Sequence, residues 1–192
     1  MYWLELLILT LYTGALSFIF IYSLSQLNLV YSYRKAQRKG LISAAAEIPA
    51  NYEYPFVTVQ LPVYNELYVV ERLIDAVASF DWPKDKLEVQ VLDDSTDETV
   101  ELIAKKALEW QKKGVNVQQI RRTDRRGFKA GALQYGLSIA KGEFIPIFDA
   151  DFVPEPDFLK KTIPHFGQDA RIGVVQTRWG HINEDYSLLT QL

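Results

Sequence analysis

From Leu6 to Tyr33 the chain carries no charged residue, 28 positions in all, and no other segment limits its possible folds so severely. As a helix at about 1.5 Å per residue this run reaches about 42 Å, against a hydrocarbon core of about 30 Å. It is long enough to cross a bilayer. A secretory signal peptide would need a basic leading region, a shorter apolar run and a small-residue cleavage site, and none of these is seen. A buried helix of a water-soluble fold rarely runs this far without charge. Arg34, Lys35, Arg38 and Lys39 follow at once, and the cytoplasmic bias of basic flanks puts that side, and everything after it, in the cytoplasm. Trp3, Tyr31 and Tyr33 suit interfacial anchoring. Residues 1–33 are therefore read as one transmembrane helix and 34–54 as a basic flank and linker.

What remains, 55–192, suffices for one ordinary domain. The whole chain is 48% hydrophobic and 13% aromatic, which excludes disorder. It has no cysteine and two histidines, which removes disulfides, thiol catalysis, Cys-ligated zinc and a His-rich metal site. A formal charge of -3 gives no case for a nucleic-acid partner, so any basic patch must be local.

Past Pro55, short β-branched runs alternate with amphipathic helical stretches. The runs are 56–61, 87–92, 115–120, 143–148 and 172–177. Val69, Val70, Leu73, Ile74 and Val77 have helical spacing between the first two. Ser95 and Glu98 form a capping-box pattern ahead of a helix whose apolar face is Leu102, Ile103, Ala107 and Leu108. The helix after Gly127 has Ala130, Leu133, Leu137 and Ala140 as its apolar face, and one near Pro156 has Phe158, Leu159 and Ile163. Strand then helix, four times, predicts an α/β fold with a mostly parallel sheet covered on both faces. Ligands of such folds bind beyond the carboxyl ends of the strands.

Those ends hold the chemistry. Pro62-Val63-Tyr64-Asn65-Glu66 follows the first run, Asp93-Asp94-Ser95-Thr96-Asp97 the second, and Arg121-Arg122-Thr123-Asp124-Arg125-Arg126-Gly127-Phe128-Lys129-Ala130-Gly131 the third. The fourth ends in Asp149-Ala150-Asp151. Asn65 and Ser95 are open to two readings, helix capping and ligand binding. The basic run is either a solvated loop or, placed before a helix N-terminus, a phosphate cradle. Alternate residues leaving an extended strand face one side, so Asp149 and Asp151 can share a hard cation such as Mg²⁺ or Mn²⁺. The apolar run Phe144 to Phe148 before them strengthens that reading.

Taken together, LPVYNE, VLDDSTDET, RRGFKAGAL and FDADFVP resemble the family 2 glycosyltransferases, and the tail VQTRWGHINEDYSLLTQL looks most like the mannan and glucomannan synthase branch of the cellulose-synthase-like enzymes. The resemblance runs from about Val57 to the last residue. It implies a GT-A, Rossmann-like, nucleotide-sugar-binding domain. It places Tyr64, Asn65 and Glu66 by the nucleoside, Asp93 and Asp94 at the base or ribose, and Lys129, with backbone near Gly131, at the diphosphate. Asp149 and Asp151 would bind the sugar-diphosphate through Mg²⁺ or Mn²⁺. Gln176, Thr177, Arg178 and Trp179 would line the acceptor side, Trp179 having an ordinary core or membrane-interface role as its equal alternative.

Processive members of that family carry a later catalytic Asp, a Gln-x-x-Arg-Trp motif and further membrane helices; Gln176-Thr177-Arg178-Trp179 is one residue too short for that motif. The chain thus reads as the donor half of a site, with its base expected beyond Leu192. The implied activity is metal-dependent, inverting transfer of a hexosyl group from GDP-mannose or UDP-glucose to a growing β-linked polysaccharide, at a bacterial inner membrane or Golgi membrane. Two alternatives stand beside it: transfer to a lipid acceptor such as polyprenyl phosphate or ceramide, and a silent nucleotide-binding fragment. A dinucleotide-dependent dehydrogenase fits poorly, because Pro-Val-Tyr-Asn-Glu stands where a glycine-rich turn is needed.

Overall fold

The computed structural model describes residues 2–38, 48, 51–177, 180 and 186. The chain divides into two compact units, Met1–Ala45 and Ala46–Leu192. The first contains α1 (Tyr2–Arg38), 37 residues with a mean hydropathy of 2.0 over its most apolar window and none of that window buried. The hydroxyls of Thr10, Thr13, Ser17 and Ser23 each donate to the carbonyl four residues back at 2.8–2.9 Å. These four hydroxyls are thereby satisfied within the helix itself. It continues past residue 33 through Arg34, Lys35 and Arg38, where basic side chains suit the negative end of the helix dipole.

The second unit is built on three parallel strands in the order β1-β2-β3: β1 (Val57–Val63), β2 (Leu87–Asp93) and β3 (Asn116–Ile120). Val57 pairs with Leu87 and Val63 with Asp93, so β1 and β2 end together. Two helices cross between them, α2 (Val70–Ala78) and α3 (Thr99–Lys112). Alternation divides the sheet into two unlike faces. Val57, Val59, Leu61, Val89, Val91 and Val117 join Leu73, Ile74, Val77 and Ile103 in the apolar core. The intervening residues are polar yet equally buried: Thr58, Gln60, Glu88 and Gln90. Thr58 Oγ1 donates to Glu88 Oε2 at 2.8 Å, Gln60 Nε2 to Gln90 Oε1 at 3.1 Å, and Gln118 Nε2 to Glu88 Oε1 at 3.3 Å. Burial of these groups is tolerable because they are paired.

The helix α4 (Phe128–Ile139) contacts β1 and β2 over this polar face. Its buried residues are Ala132 and Gly136, while Leu137 is 57% exposed. The expected apolar face of Ala130, Leu133, Leu137 and Ala140 is therefore not the one turned inward. A Cβ on Gly136 would lie 2.7 Å from Gln60 Nε2 and Leu92 Cδ2, so only small residues permit this approach. In α3, Ile103 and Ala107 are buried as expected but Leu108 is 57% exposed. The helix also begins later than the capping-box pattern predicts: Asp97 Oδ1, not Ser95, accepts the N–H of Thr99.

The run 143–148 lies parallel to β1 but forms two isolated bridges, Val57 with Phe144 and Gln60 with Ile147. Thr58 N–H donates to Phe144 O, Gln60 N–H to Pro146 O, and Phe148 N–H to Gln60 O. Regular parallel alternation requires an N–H from residue 146, and proline has none. The run 172–177 forms no strand; Val174 is 83% exposed. Beyond Asp151 the chain is tied back to the core through α5 (Phe158–Thr162): the Phe158 ring lies 6.1 Å from Phe80 and 4.9 Å from Phe148.

Candidate functional site

Because β1, β2 and the 143–148 run are parallel, their carboxyl ends deliver Tyr64, Asp94 and Asp149 to one edge. Asn65 adopts a left-handed φ of 55°, a conformation asparagine tolerates better than most residues. Its N–H donates to Ser95 Oγ at 3.0 Å and its Oδ1 accepts the Thr96 N–H at 2.9 Å. Asn65 and Ser95 thus stitch the loops after β1 and β2 together, and neither caps a helix.

The two adjacent aspartates diverge. Asp93 is buried, accepting the Ser95 N–H at 2.8 Å and the Gln119 side-chain amide at 2.8 Å, with Arg121 Nε at 3.7 Å. It holds β2, β3 and their loops together behind the site. Asp94 takes a bidentate pair from Arg122, Nε to Oδ1 at 2.7 Å and Nη2 to Oδ2 at 2.5 Å. Both side chains are close to buried, and donation of hydrogen bonds to the Asp94 carboxylate drives the Arg122 guanidinium further above its usual range. Arg122 also donates to the carbonyls of Arg126 and Phe128, both at 2.8 Å. One guanidinium therefore fixes the course of the loop into α4.

That loop depends on two glycines. Gly127 has φ 73° and precedes α4, while a Cβ on Gly131 would stand 2.1 Å from Arg126 O and 2.5 Å from Arg122 Nη1. Gly131 lets the loop lie against the first turn of the helix. Held this way, the loop puts the Arg125 guanidinium 3.2 Å from the Tyr64 ring centroid, with its Nε 3.8 Å from Asp94 Oδ2. Lys129 pairs with Asp149. Asp149 and Asp151 do not leave an extended strand. They sit in a turn closed by the Phe152 N–H on Asp149 O at 3.1 Å.

A cleft of about 450 Å³ opens among these residues, lined by Tyr64, Glu66, Asp94, Arg125, Lys129, Asp149 and Asp151 over a floor of Pro62, Val63, Leu92, Ala132 and Ala150. Of the residues expected from sequence, Tyr64, Glu66, Asp94, Lys129, Asp149 and Asp151 are brought together. Asn65, Asp93 and Gly131 do not line the cleft; the contacts above show them supporting its walls. Gln176 is exposed on the irregular 172–177 segment and is not part of the lining. Arg178 and Trp179 lie outside the described residues. Arg122 and Arg125 were legible only as members of a basic run. The signal that could have singled them out is the offset from β3, which puts Arg122 opposite Asp94 at the next strand end.

No cluster of three acids or histidines exists among the described residues. Asp149 and Asp151 are two carboxylates accessible from the cleft, which suits a hard cation that completes its shell with phosphate and water.

Residues 58–190 match the model of glycosyl transferase family 2. The chain belongs to that family. This glycosyltransferase chain is 46% identical over 155 residues to a "probable glucomannan 4-beta-mannosyltransferase 7" of Oryza sativa subsp. japonica, covering 79% of the chain and 26% of the relative. A second rice protein, described as number 11 of the same series, is 46% identical over 142 residues, with 72% and 25% covered. The chain thus spans about a quarter of the length of these relatives. Among solved structures, the mannosyltransferase PcManGT from Pyrobaculum calidifontis, in complex with GDP-Man and Mn²⁺, is 35% identical with a TM-score of 0.56, over 72% of this chain and 39% of that one. S. aureus TarS shares the fold at 22% identity and a TM-score of 0.53, over 67% of this chain and 24% of that one. The parallel α/β architecture is that of the GT-A glycosyltransferases.

Proposed function

We propose that the chain carries the donor-binding site of a membrane-bound hexosyltransferase that moves mannose or glucose from GDP-mannose or UDP-glucose to a growing β-linked polysaccharide. The observation that carries this reading is the cleft itself, in which two carboxylates on one turn face Lys129 and Arg125 on a loop that opens a helix. A helix N-terminus flanked by cations suits a diphosphate, and Tyr64 offers an aromatic face to the nucleoside. The identity to the glucomannan 4-beta-mannosyltransferases and to the GDP-Man-bound mannosyltransferase supports the choice of sugar class.

Asp149 and Asp151 would hold Mg²⁺ or Mn²⁺. When bound, the ion would supply Lewis-acid stabilisation of the charge that develops on the departing nucleoside diphosphate. Lys129 would stabilise the same charge from the α4 side, and Arg122 would keep the loop in register without touching the donor. Inversion by direct displacement, a bilayer-spanning α1 in a bacterial inner membrane or the Golgi, and a cytoplasmic position for 55–192 complete the proposal. The apolar length of α1 supports the anchoring.

The test is turnover by the full-length protein supplied with each nucleotide sugar and Mn²⁺, with products sized on a gel. Long polymer is expected, and a single added sugar would favour the lipid-acceptor alternative. Asp151→Ala should lower turnover by about a hundredfold or more, the scale of several kcal/mol of lost charge stabilisation; wild-type turnover in that variant would remove the metal assignment.

A further inference from the structure

We propose that Lys129 is a built-in counter-ion of the cation site, so that nucleotide and divalent metal bind this cleft cooperatively. The inference rests on the donor-site reading above and deepens it. Lys129 and Asp149 are paired directly although 20 residues separate them. The two acids of the turn are thus unequal: Asp149 is engaged by an ammonium, whereas Asp151 has no hydrogen-bond or ion-pair partner among the described residues. A carboxylate oxygen in contact with an ammonium is a poor ligand for a dication, because the two cations repel at that distance. Metal arriving alone therefore meets one open carboxylate.

The pair is built to exchange. Its side chains are 54% and 47% exposed, which keeps the interaction weak. Lys129 is the second residue of α4, where the orphan N–H groups of a helix favour an anion, and Arg125 lines the same cleft. A diphosphate placed there carries more charge than Asp149 and draws Lys129 away from it. Asp149 is then released to join Asp151, and the phosphate oxygens complete the shell. By linkage, the metal tightens nucleotide by the same factor. The order of events matters for a transferase, since metal bound without donor is unproductive.

The experiment is Mn²⁺ binding, followed by isothermal titration or by the loss of free-ion electron paramagnetic resonance signal, to the full chain in detergent with and without GDP or UDP. Lys129→Met keeps the stem and removes the charge; it should bind Mn²⁺ alone about two- to fivefold more tightly than wild type, the size expected of one exposed ion pair. Lys129→Arg should behave as wild type. In an Asp149→Asn background the Lys129→Met tightening should vanish. The nucleotide-induced gain in Mn²⁺ affinity should shrink in Lys129→Met. Unchanged or weaker Mn²⁺ binding by Lys129→Met, or equal tightening in the Asp149→Asn background, overturns the proposal while leaving the donor site intact. Failure of the wild-type chain to bind GDP or UDP at all would instead remove the donor-site reading, and this proposal with it.

Discussion

Gly131→Ala is the sharpest probe of how the loop serves the cleft. The new Cβ would stand 2.1 Å from Arg126 O, and ordinary contact begins at 3.4 Å, so the loop must retreat by about 1.3 Å (3.4 minus 2.1). The atom in the way is backbone, which cannot rotate aside. Arg122 Nη1 bonds that same carbonyl at 2.8 Å and would itself meet the Cβ at 2.5 Å. Retreat therefore loosens the guanidinium that fixes both Asp94 and the entry to α4. Overpacking of this kind costs about 1–3 kcal/mol, which for a unit of this size lowers the melting temperature by about 3–10 °C. Displacement of Arg125 and Lys129 should weaken GDP or UDP binding about tenfold, measured by titration calorimetry alongside a thermal melt. Gly167→Ala and Gly173→Ala are the controls, since an added Cβ meets nothing within 4 Å at either. If Gly131→Ala melts with the wild type and binds nucleotide within a factor of two, the close-approach argument is wrong.

Two further outcomes follow from pairs hidden at the rim and beneath α4. Asp94→Ala removes both oxygens from an Arg122 that is 10% exposed, and stranding a charge of that kind should cost about 3 kcal/mol in chemical denaturation; a loss below about 1 kcal/mol would show the pair to be dispensable. Thr58→Val deletes the hydroxyl that donates to Glu88 and accepts the Gly142 N–H at 2.7 Å. It should destabilise by about 1–3 kcal/mol in the same assay despite its matched shape, because the half-buried Gly142 N–H loses its acceptor and the buried Glu88 Oε2 keeps only the longer Lys141 N–H bond at 3.3 Å.

How much was legible follows from how local each signal is. β1 and β2 lie within one or two residues of their predicted runs because alternation of apolar and polar residues and β-branching are written into 57–63 and 87–93 themselves. The 143–148 run lies parallel to β1, an adjacency the sequence did not specify, and Pro146 breaks the ladder. Residues 172–177 look like a strand in isolation, yet a strand needs a neighbour, and none is paired with them among the described residues. The face of α4 was misread because helix-face assignment assumes that large apolar residues point inward, whereas a close crossing selects alanine at 132 and glycine at 136. The site was legible as types of residue and their order. The split between Asp93 and Asp94 was not, because it depends on Gln119 and Arg122, which reach across from the next strand's end.

The two sides of the sheet set different rules for change. Behind β1 and β2, the valine and isoleucine side can be repacked by swaps of similar volume with small losses. The Thr58, Gln60, Glu88, Gln90 and Gln118 lattice on the other side has no such slack, since each substitution strands a partner in a place water cannot reach. Libraries aimed at altering what the cleft binds should hold those five positions constant and draw their diversity from the cleft rim, because the lattice supports α4, and α4 carries Lys129.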